Sequence, residues 1–201
     1  MKNFDNSFLT DNIRLIAGVD EVGRGPLAGP VVSASVIFSP DDYIEGVNDS
    51  KQLSEREREQ LLPQIMDKAI SYSVAAVSHT KIDQINILQA SLLSMKIAVN
   101  RLQIQPHLIL IDGNKSFQCS VKTIPIVKGD SKSFAIAAAS IIAKVARDRL
   151  MKRLDRHFPN YLWGKNKGYA TKEHIEAIRI YGASSLHRRT FLKNIALLEK
   201  A

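Results

Sequence analysis

The chain has 201 residues, 45% of them apolar, enough for one domain with a full core. No apolar run approaches the roughly 20 residues of a membrane span, and the N-terminal MKNFDNSFLTDNIR has acids and no long apolar core, which argues against a signal peptide. The single cysteine, Cys119, cannot form an internal disulfide and fits a reducing cytoplasm. The net charge of +8 is lopsided: residues 1–100 hold nine Lys and Arg against thirteen Asp and Glu, residues 101–201 nineteen against seven. From Lys144 to Lys172 nine basic residues face two acids, a density that points to a polyanionic partner, nucleic acid before membrane, since no amphipathic segment stands apart.

In chain order, residues 14–20 and 31–38 read as strands, separated by a glycine turn and followed by a polar loop over 39–52. Ser54-Glu55-Arg56-Glu57 is a capping box opening a helix towards Ala69, with Pro63 as a kink point. Residues 71–78 alternate as a strand, and 86–102 carry helical periodicity. HLILID (107–112) and VKTIPIV (121–127) are short strands. The longest helix spans 133–157, with an apolar stripe through Ile142, Ala146, Leu150 and Leu154 and with Lys144, Lys152 and Arg156 on the far face. A loop containing Trp163-Gly164 and Lys167-Gly168-Tyr169 leads to helices over 172–181 and 190–199. The order predicts an α/β fold, a mixed sheet with helices and a helical tail. Residues 1–201 form one domain, helical at its C-terminal end from about 160.

Carboxylates gather at strand ends. Asp20 and Glu21 end the first strand, Asp112 ends HLILID, and Asp130 precedes the longest helix. Converging carboxylates stay ionised together only around cations, and an all-oxygen set without His or Cys suits Mg²⁺ or Mn²⁺. A pair of such ions about 4 Å apart is a standard device for phosphodiester hydrolysis. Taken singly, Asp112 is an ordinary loop residue, and Asp130 or Ser131 an ordinary cap for the helix near Ser133. Neighbours on a strand point to opposite faces, so Asp20 and Glu21 share a site only if the strand ends or bulges there. Otherwise Glu21 contributes its backbone or supports the other acids.

Gly23-Arg24-Gly25-Pro26-Leu27-Ala28 fits the dinucleotide pattern G-x-G-x-x-A, but that pattern needs a helix next, and Pro30 to Ile37 reads as a strand. What remains is either a plain strand-to-strand turn or a turn whose backbone approaches a ligand closely. None of His79, His107, His157, His174 and His187 falls in the acidic segments, so metal-free phosphodiester cleavage using His as acid and base is disfavoured. His187-Arg188-Arg189 reads as a phosphate contact or a helix start. Asp148 is expected to pair with an Arg on its own helix.

The segments GVDEVGRGPLAGPVV, DSKQLSEREREQL, LIDGN, IVKGDSKSFAIAAASIIAKVARDRLM, NKGYATKEHIEAI and LHRRTF resemble, in that order, the blocks of bacterial ribonuclease HII, from residue 18 to about 191. The short lead into the first strand and the tyrosine of KGYAT favour HII over the sister ribonuclease HIII. The resemblance implies a ribonuclease H-like mixed five-stranded sheet flanked by helices. It implies a cytoplasmic, metal-dependent endonuclease, monomeric by default, that cleaves RNA in RNA–DNA hybrids and nicks 5′ of single ribonucleotides in DNA. Asp20, Glu21, Asp112 and Asp130 match the four metal-binding catalytic acids. Gly23, Arg24 and Gly25 match the turn that reads the 2′-hydroxyl, and Tyr169 matches the tyrosine that stacks at the RNA–DNA junction. Lys51, Lys128, Lys132 and Lys144, with His187 and Arg188, are expected phosphate contacts.

Overall fold

The computed structural model describes residues 1–198. Strands β1 (Ile16–Val22) and β2 (Val31–Ile37) form an antiparallel pair, and β3 (Ser71–Val77) extends it on the β2 side. Strands β4 (Leu108–Asp112) and β5 (Lys122–Ile126) add in parallel on the β1 side, giving the order β3-β2-β1-β4-β5. Every residue of β2 is buried, as a strand covered on both faces requires. The predicted mixed five-stranded sheet is the one observed. The Gly23-Arg24-Gly25 turn is followed by strand β2, so the dinucleotide pattern is excluded on geometry as well.

Helix α2 (Glu55–Lys68) starts at the expected capping box, with Ser54 Oγ accepting from Glu57 N and Glu57 returning a bond to Ser54 N. Pro63 lies inside it. Among the described residues three short helices escaped the periodicity, one of them, Trp163–Asn166, inside the expected loop. Helix α1 (Lys2–Asn6) is held from outside: Asp5 is buried and accepts from Ala135 N at 2.9 Å. Helix α3 (His79–Ile85) ends at Asn86, whose positive φ of 66° breaks the chain and whose side chain caps α4 (Ile87–Asn100).

The sheet is sandwiched between α4 and the long α5 (Phe134–Asp155). Ala17, Val19, Ile109 and Ile111 pack with Met95 and Val99 of α4, whereas Ile16, Leu108 and Leu110 pack with Ile136 of α5. A Cβ at Gly18 would stand 2.1 Å from the carbonyl carbon of Ala135, so α5 rests directly on the β1 backbone. Ser133, not Asp130 or Ser131, caps α5 by accepting from Ile136 N, which leaves the Asp130 side chain outside the helix cap.

The expected stripe on α5 is corrected beyond Ile142. Ala146, Leu150 and Leu154 are only half-buried, while Arg147, Asp148 and Met151 are buried. The turned face meets a C-terminal layer of α6 (Trp163–Asn166), α7 (Lys172–Tyr181) and α8 (Arg189–Leu198). The last residue of the predicted 190–199 helix, Glu199, lies outside the described residues. Among the described residues no helix is long and apolar enough to cross a membrane.

Candidate active site

Strands β1, β4 and β5 run parallel, so their C-terminal ends share one edge of the sheet. Asp20 and Asp112 sit at that edge on the α5 face, since Ile16, Leu108 and Leu110 of the same alternation pack on α5. Asp130 reaches the same edge from the 3₁₀ turn Gly129–Ser131 after β5. Asp112 Oδ1 accepts from Gly129 N at 2.7 Å and from Asp130 N at 3.4 Å, so one acid positions the backbone of the next. Asp20 Oδ1 accepts from Glu21 N at 2.7 Å.

β1 neither ends nor bulges at the acids. Its ladder stays regular through Glu21 opposite Ser33 and Val22 opposite Val32. Asp20 and Glu21 therefore leave the strand on opposite faces, yet they remain within electrostatic reach of each other. Burial, then the charges of Glu21 and Asp112, push Asp20 well above the usual carboxylate range. Burial raises Glu21 to about 7, against the opposing pull of Arg24, with Asp112 adding to the rise. Burial and then Asp130 raise Asp112.

One oxygen on each acid is engaged: Asp20 Oδ1, Asp112 Oδ1, Asp130 Oδ2 by Lys51 Nζ at 2.9 Å, and Glu21 Oε1 by Arg24 at 3.4 Å. Their other oxygens have no donor among the described residues. As the side chains stand, no three His, Cys, Asp or Glu of the described residues form a ligand set for one ion. Lys51 and Arg24 draw Asp130 and Glu21 to themselves. The donor chemistry fits a hard divalent cation: all oxygen, half of it unengaged, and costly to keep charged together. Lys51, exposed at 76% of its side chain, already supplies one positive charge. Burial opposes its charge, but the hydrogen bond and charge of Asp130 outweigh that and raise its pKa.

The glycine turn lies beside these acids. Gly23 has φ +97°, and a Cβ there would stand 2.2 Å from Arg147 Nε; both backbone and space require glycine. Gly25 is exposed, and a Cβ there would meet only Tyr169 Cε1, at 3.7 Å. Tyr169 is 41% exposed, with the Arg147 guanidinium 6.0 Å from its ring centroid. The structure thus brings Gly23, Gly25 and Tyr169 together next to Asp20 and Glu21.

His187 and Arg188 stand elsewhere than at the surface. Both are buried, at 2% and 0%, so the expected direct phosphate contact is corrected to support from behind the turn. Arg188 Nη2 donates to Gly23 O at 2.6 Å, Nη1 to Arg24 O at 2.8 Å and Nε to Gly29 O at 3.0 Å. Arg147 donates to Pro30 O, Lys167 O and Ala28 O at 3.0–3.2 Å. His187 joins a buried chain that starts at Ser184 N, 2.9 Å from His187 Nδ1. His187 Nε2 lies 3.1 Å from His174 Nε2, which also accepts from Trp163 Nε1, and His174 Nδ1 lies 2.8 Å from Tyr169 O. With both rings neutral, every donor finds an acceptor: His187 Nε2–H donates to His174 Nε2, and His174 Nδ1–H donates to the Tyr169 carbonyl. Burial keeps the rings neutral, lowering His174 and holding His187 down to about 4.

Most of the basic block is engaged within the chain, with Arg149, Lys152 and Lys165 in ion pairs exposed to solvent. Lys144 pairs with Asp148 at 2.8 Å, Arg149 with Glu59, Lys152 with Glu55 and Lys165 with Glu173; Lys167 is buried and bonds Gly164 O. Asp148 takes Lys144 and, at 3.8 Å, Arg58 of α2 rather than an Arg on its own helix. Lys128 and Lys132, which flank Asp130, are exposed.

A family model described as Ribonuclease HII matches residues 17–194. A ribonuclease HII of Rickettsia africae is 52% identical over 177 residues, covering 88% of this chain and 91% of that protein. The ribonuclease H2 structure from Pyrococcus horikoshii is 31% identical with a TM-score of 0.71, covering 88% of this chain and 93% of that one. The ribonuclease HII of Archaeoglobus fulgidus, solved in complex with PCNA, is 27% identical with a TM-score of 0.74, covering 87% and 94%. With its acids, turn and tyrosine gathered at one sheet edge, this chain belongs to the ribonuclease HII family of nucleases.

Proposed function

We propose that this protein is a metal-dependent endonuclease that hydrolyses the RNA strand of RNA–DNA hybrids and nicks 5′ of single ribonucleotides embedded in duplex DNA. The observation that carries the proposal is the adjacency of the two-glycine turn, exposed at Arg24 and Gly25, to four carboxylates at one sheet edge. Asp20, Asp112 and Asp130 would hold Mg²⁺ or Mn²⁺ through their carboxylates, and Glu21 through its side chain or backbone. Such ions, when bound, would activate a water and stabilise the departing 3′-oxygen. Products would be a 3′-OH and a 5′-phosphate, with the 2′-OH serving in recognition and not as nucleophile.

The chain's own residues do the rest. The turn brings backbone amides to the ribose, where only the 2′-OH separates RNA from DNA. Tyr169 offers an exposed ring for stacking at the junction. Lys51, Lys128 and Lys132 supply positive charge around Asp130, while Lys144 acts through Asp148. We place this activity in one domain over residues 1–201, in a cytoplasmic monomer. The test is a labelled duplex containing one ribonucleotide, digested with Mg²⁺, with Mn²⁺ and with chelator, and the nick mapped to the base. The expected result is one metal-dependent nick 5′ of the ribonucleotide. Binding of hybrid without any cleavage would refute the nuclease assignment.

A further inference from the structure

We propose that Arg188 is a positioning residue that fixes the peptide planes of the Gly23-Arg24-Gly25 turn so that two amides face the substrate. The proposal rests on the reading that this turn senses the ribose.

In a trans peptide the carbonyl and the following N–H point in opposite directions. Arg188 draws the carbonyls of Gly23 and Arg24 inward with its two terminal nitrogens, at 2.6 and 2.8 Å. The next N–H groups, those of Arg24 and Gly25, are thereby turned outward. Among the described residues neither amide has an acceptor, and both residues are exposed. Leu27 N, further along the turn, is already given to Gly168 O, and Pro26 has no N–H. The turn therefore presents two unengaged donors.

Only a planar fork with several donors can hold two successive carbonyls and a third, that of Gly29, at once. The arrangement is costly. Among the described residues no carboxylate lies within ion-pair distance of Arg188, and burial, then the nearby Arg147, lowers its pKa to about 9. A buried cation compensated by main-chain carbonyls and by the Phe191 ring, 5.1 Å from its guanidinium, but by no carboxylate is expensive to maintain, so an ordinary brace would be met more cheaply by a neutral side chain. Arg147 serves as the internal comparison, because its three acceptors, Ala28, Pro30 and Lys167, all lie outside the three-residue turn.

The experiment measures affinity with Ca²⁺ in place of Mg²⁺ for two duplexes that differ by one 2′-OH. It uses wild type, Arg188→Lys and Arg147→Lys, each well below its melting temperature. Arg188→Lys is expected to lose at least tenfold of the ribonucleotide preference while its affinity for the all-DNA duplex stays within twofold. Arg147→Lys should lose less of the preference than Arg188→Lys. A parallel amide NMR titration of the wild type avoids reliance on any variant folding: Arg24 and Gly25 should shift only with the ribonucleotide duplex. Equal losses on both duplexes in Arg188→Lys, or a preserved preference, would make Arg188 a plain brace and overturn the proposal. If the wild-type amides ignore the 2′-OH, the turn is not the reader, and the proposal falls with that reading.

Discussion

Gly23 and Gly25 look equivalent in the sequence and are opposites in the structure. Substituting each by Ala separates folding from recognition. At Gly23, φ of +97° imposes strain on any L-residue, and the new Cβ would lie 2.2 Å from Arg147 Nε and 2.7 Å from its Cδ. Arg147 cannot simply swing away, because it is anchored to three carbonyls. Backbone strain of about 1–3 kcal/mol and one weakened charged hydrogen bond of about 1.5–3 kcal/mol sum to roughly 2.5–6 kcal/mol. At this chain length a loss of that size lowers Tm by roughly 5–25 °C. Gly25→Ala meets only Tyr169, at an ordinary 3.7 Å, so its Tm should stay within about 2 °C. Its methyl group instead projects where the ribose would approach. Cleavage at a single ribonucleotide should then fall at least tenfold. The assays are thermal melting by circular dichroism and kcat/KM on a duplex with one ribonucleotide. A Gly25→Ala enzyme with wild-type kcat/KM would refute the idea that the turn contacts the substrate, and an unshifted Tm for Gly23→Ala would refute the packing argument.

Asp20→Asn and Asp112→Asn should each abolish cleavage in Mg²⁺ while raising Tm in chelator, since each removes a charge from a buried, mutually repelling set; near-normal turnover would remove them from the metal site. Tyr169→Ala should reduce nicking at a lone ribonucleotide by about 5–150-fold, the equivalent of about 1–3 kcal/mol of stacking, and reduce cleavage within long hybrid less; equal losses would mean that the ring only packs. Hybrid binding should weaken steeply with salt, and Lys51→Gln and Lys132→Gln should each lower the slope of log K against log salt by about 0.9, whereas Lys167→Gln should lower Tm. His187 is held down to about 4 in the folded protein against about 6.5 unfolded, so the unfolded chain binds the extra proton in between. Its stabilising contribution is complete above pH 6.5 and is lost as pH falls towards 4, at up to about 1.4 kcal/mol per pH unit before solvent screening. The wild-type minus His187→Gln difference in stability should shrink over that window, and a flat difference would contradict the buried neutral ring.

Strands and long helices were legible because their signals are local. The alternation in 71–77, the capping box at Ser54 and the short apolar run of β4 needed no tertiary information. The acids were legible because strand ends cluster when strands run parallel. What failed to show was anything that depends on a distant partner. Helix α1 exists through Asp5 and the α5 backbone, 130 residues away. Ala143, Arg147 and Met151 form one buried stripe on α5, but an arginine in its middle reads as surface unless the carbonyls that receive it are known. The intramolecular partners of the basic block were illegible for the same reason, since Arg149 and Lys152 meet Glu59 and Glu55 nearly a hundred residues earlier. The spacing Ala143-Arg147-Met151 was the one available hint, a charge at the centre of an apolar i, i+4 row.

The two buried arginines also explain why a helical C-terminal layer accompanies the sheet. The turn after β1 has exposed residues and little packing of its own at its tip. Alone it would sample many peptide orientations, and a reader of a single hydroxyl cannot tolerate that. Arg188, at the start of α8, takes the inner carbonyls of the turn, and Arg147, on α5, takes those just beyond it and that of Lys167. Gly168 O accepts from Leu27 N, and Leu27 O accepts from Arg188 N. The same layer holds the Tyr169 backbone through His174. Turn and tyrosine are thus fixed by one set of buried groups, while the acids are fixed by the sheet and the start of α5. Gly18, which lets α5 lie on β1, joins the two halves. A perturbation confined to the C-terminal layer should therefore change which bond is cut before it changes whether the carboxylates can assemble around a metal.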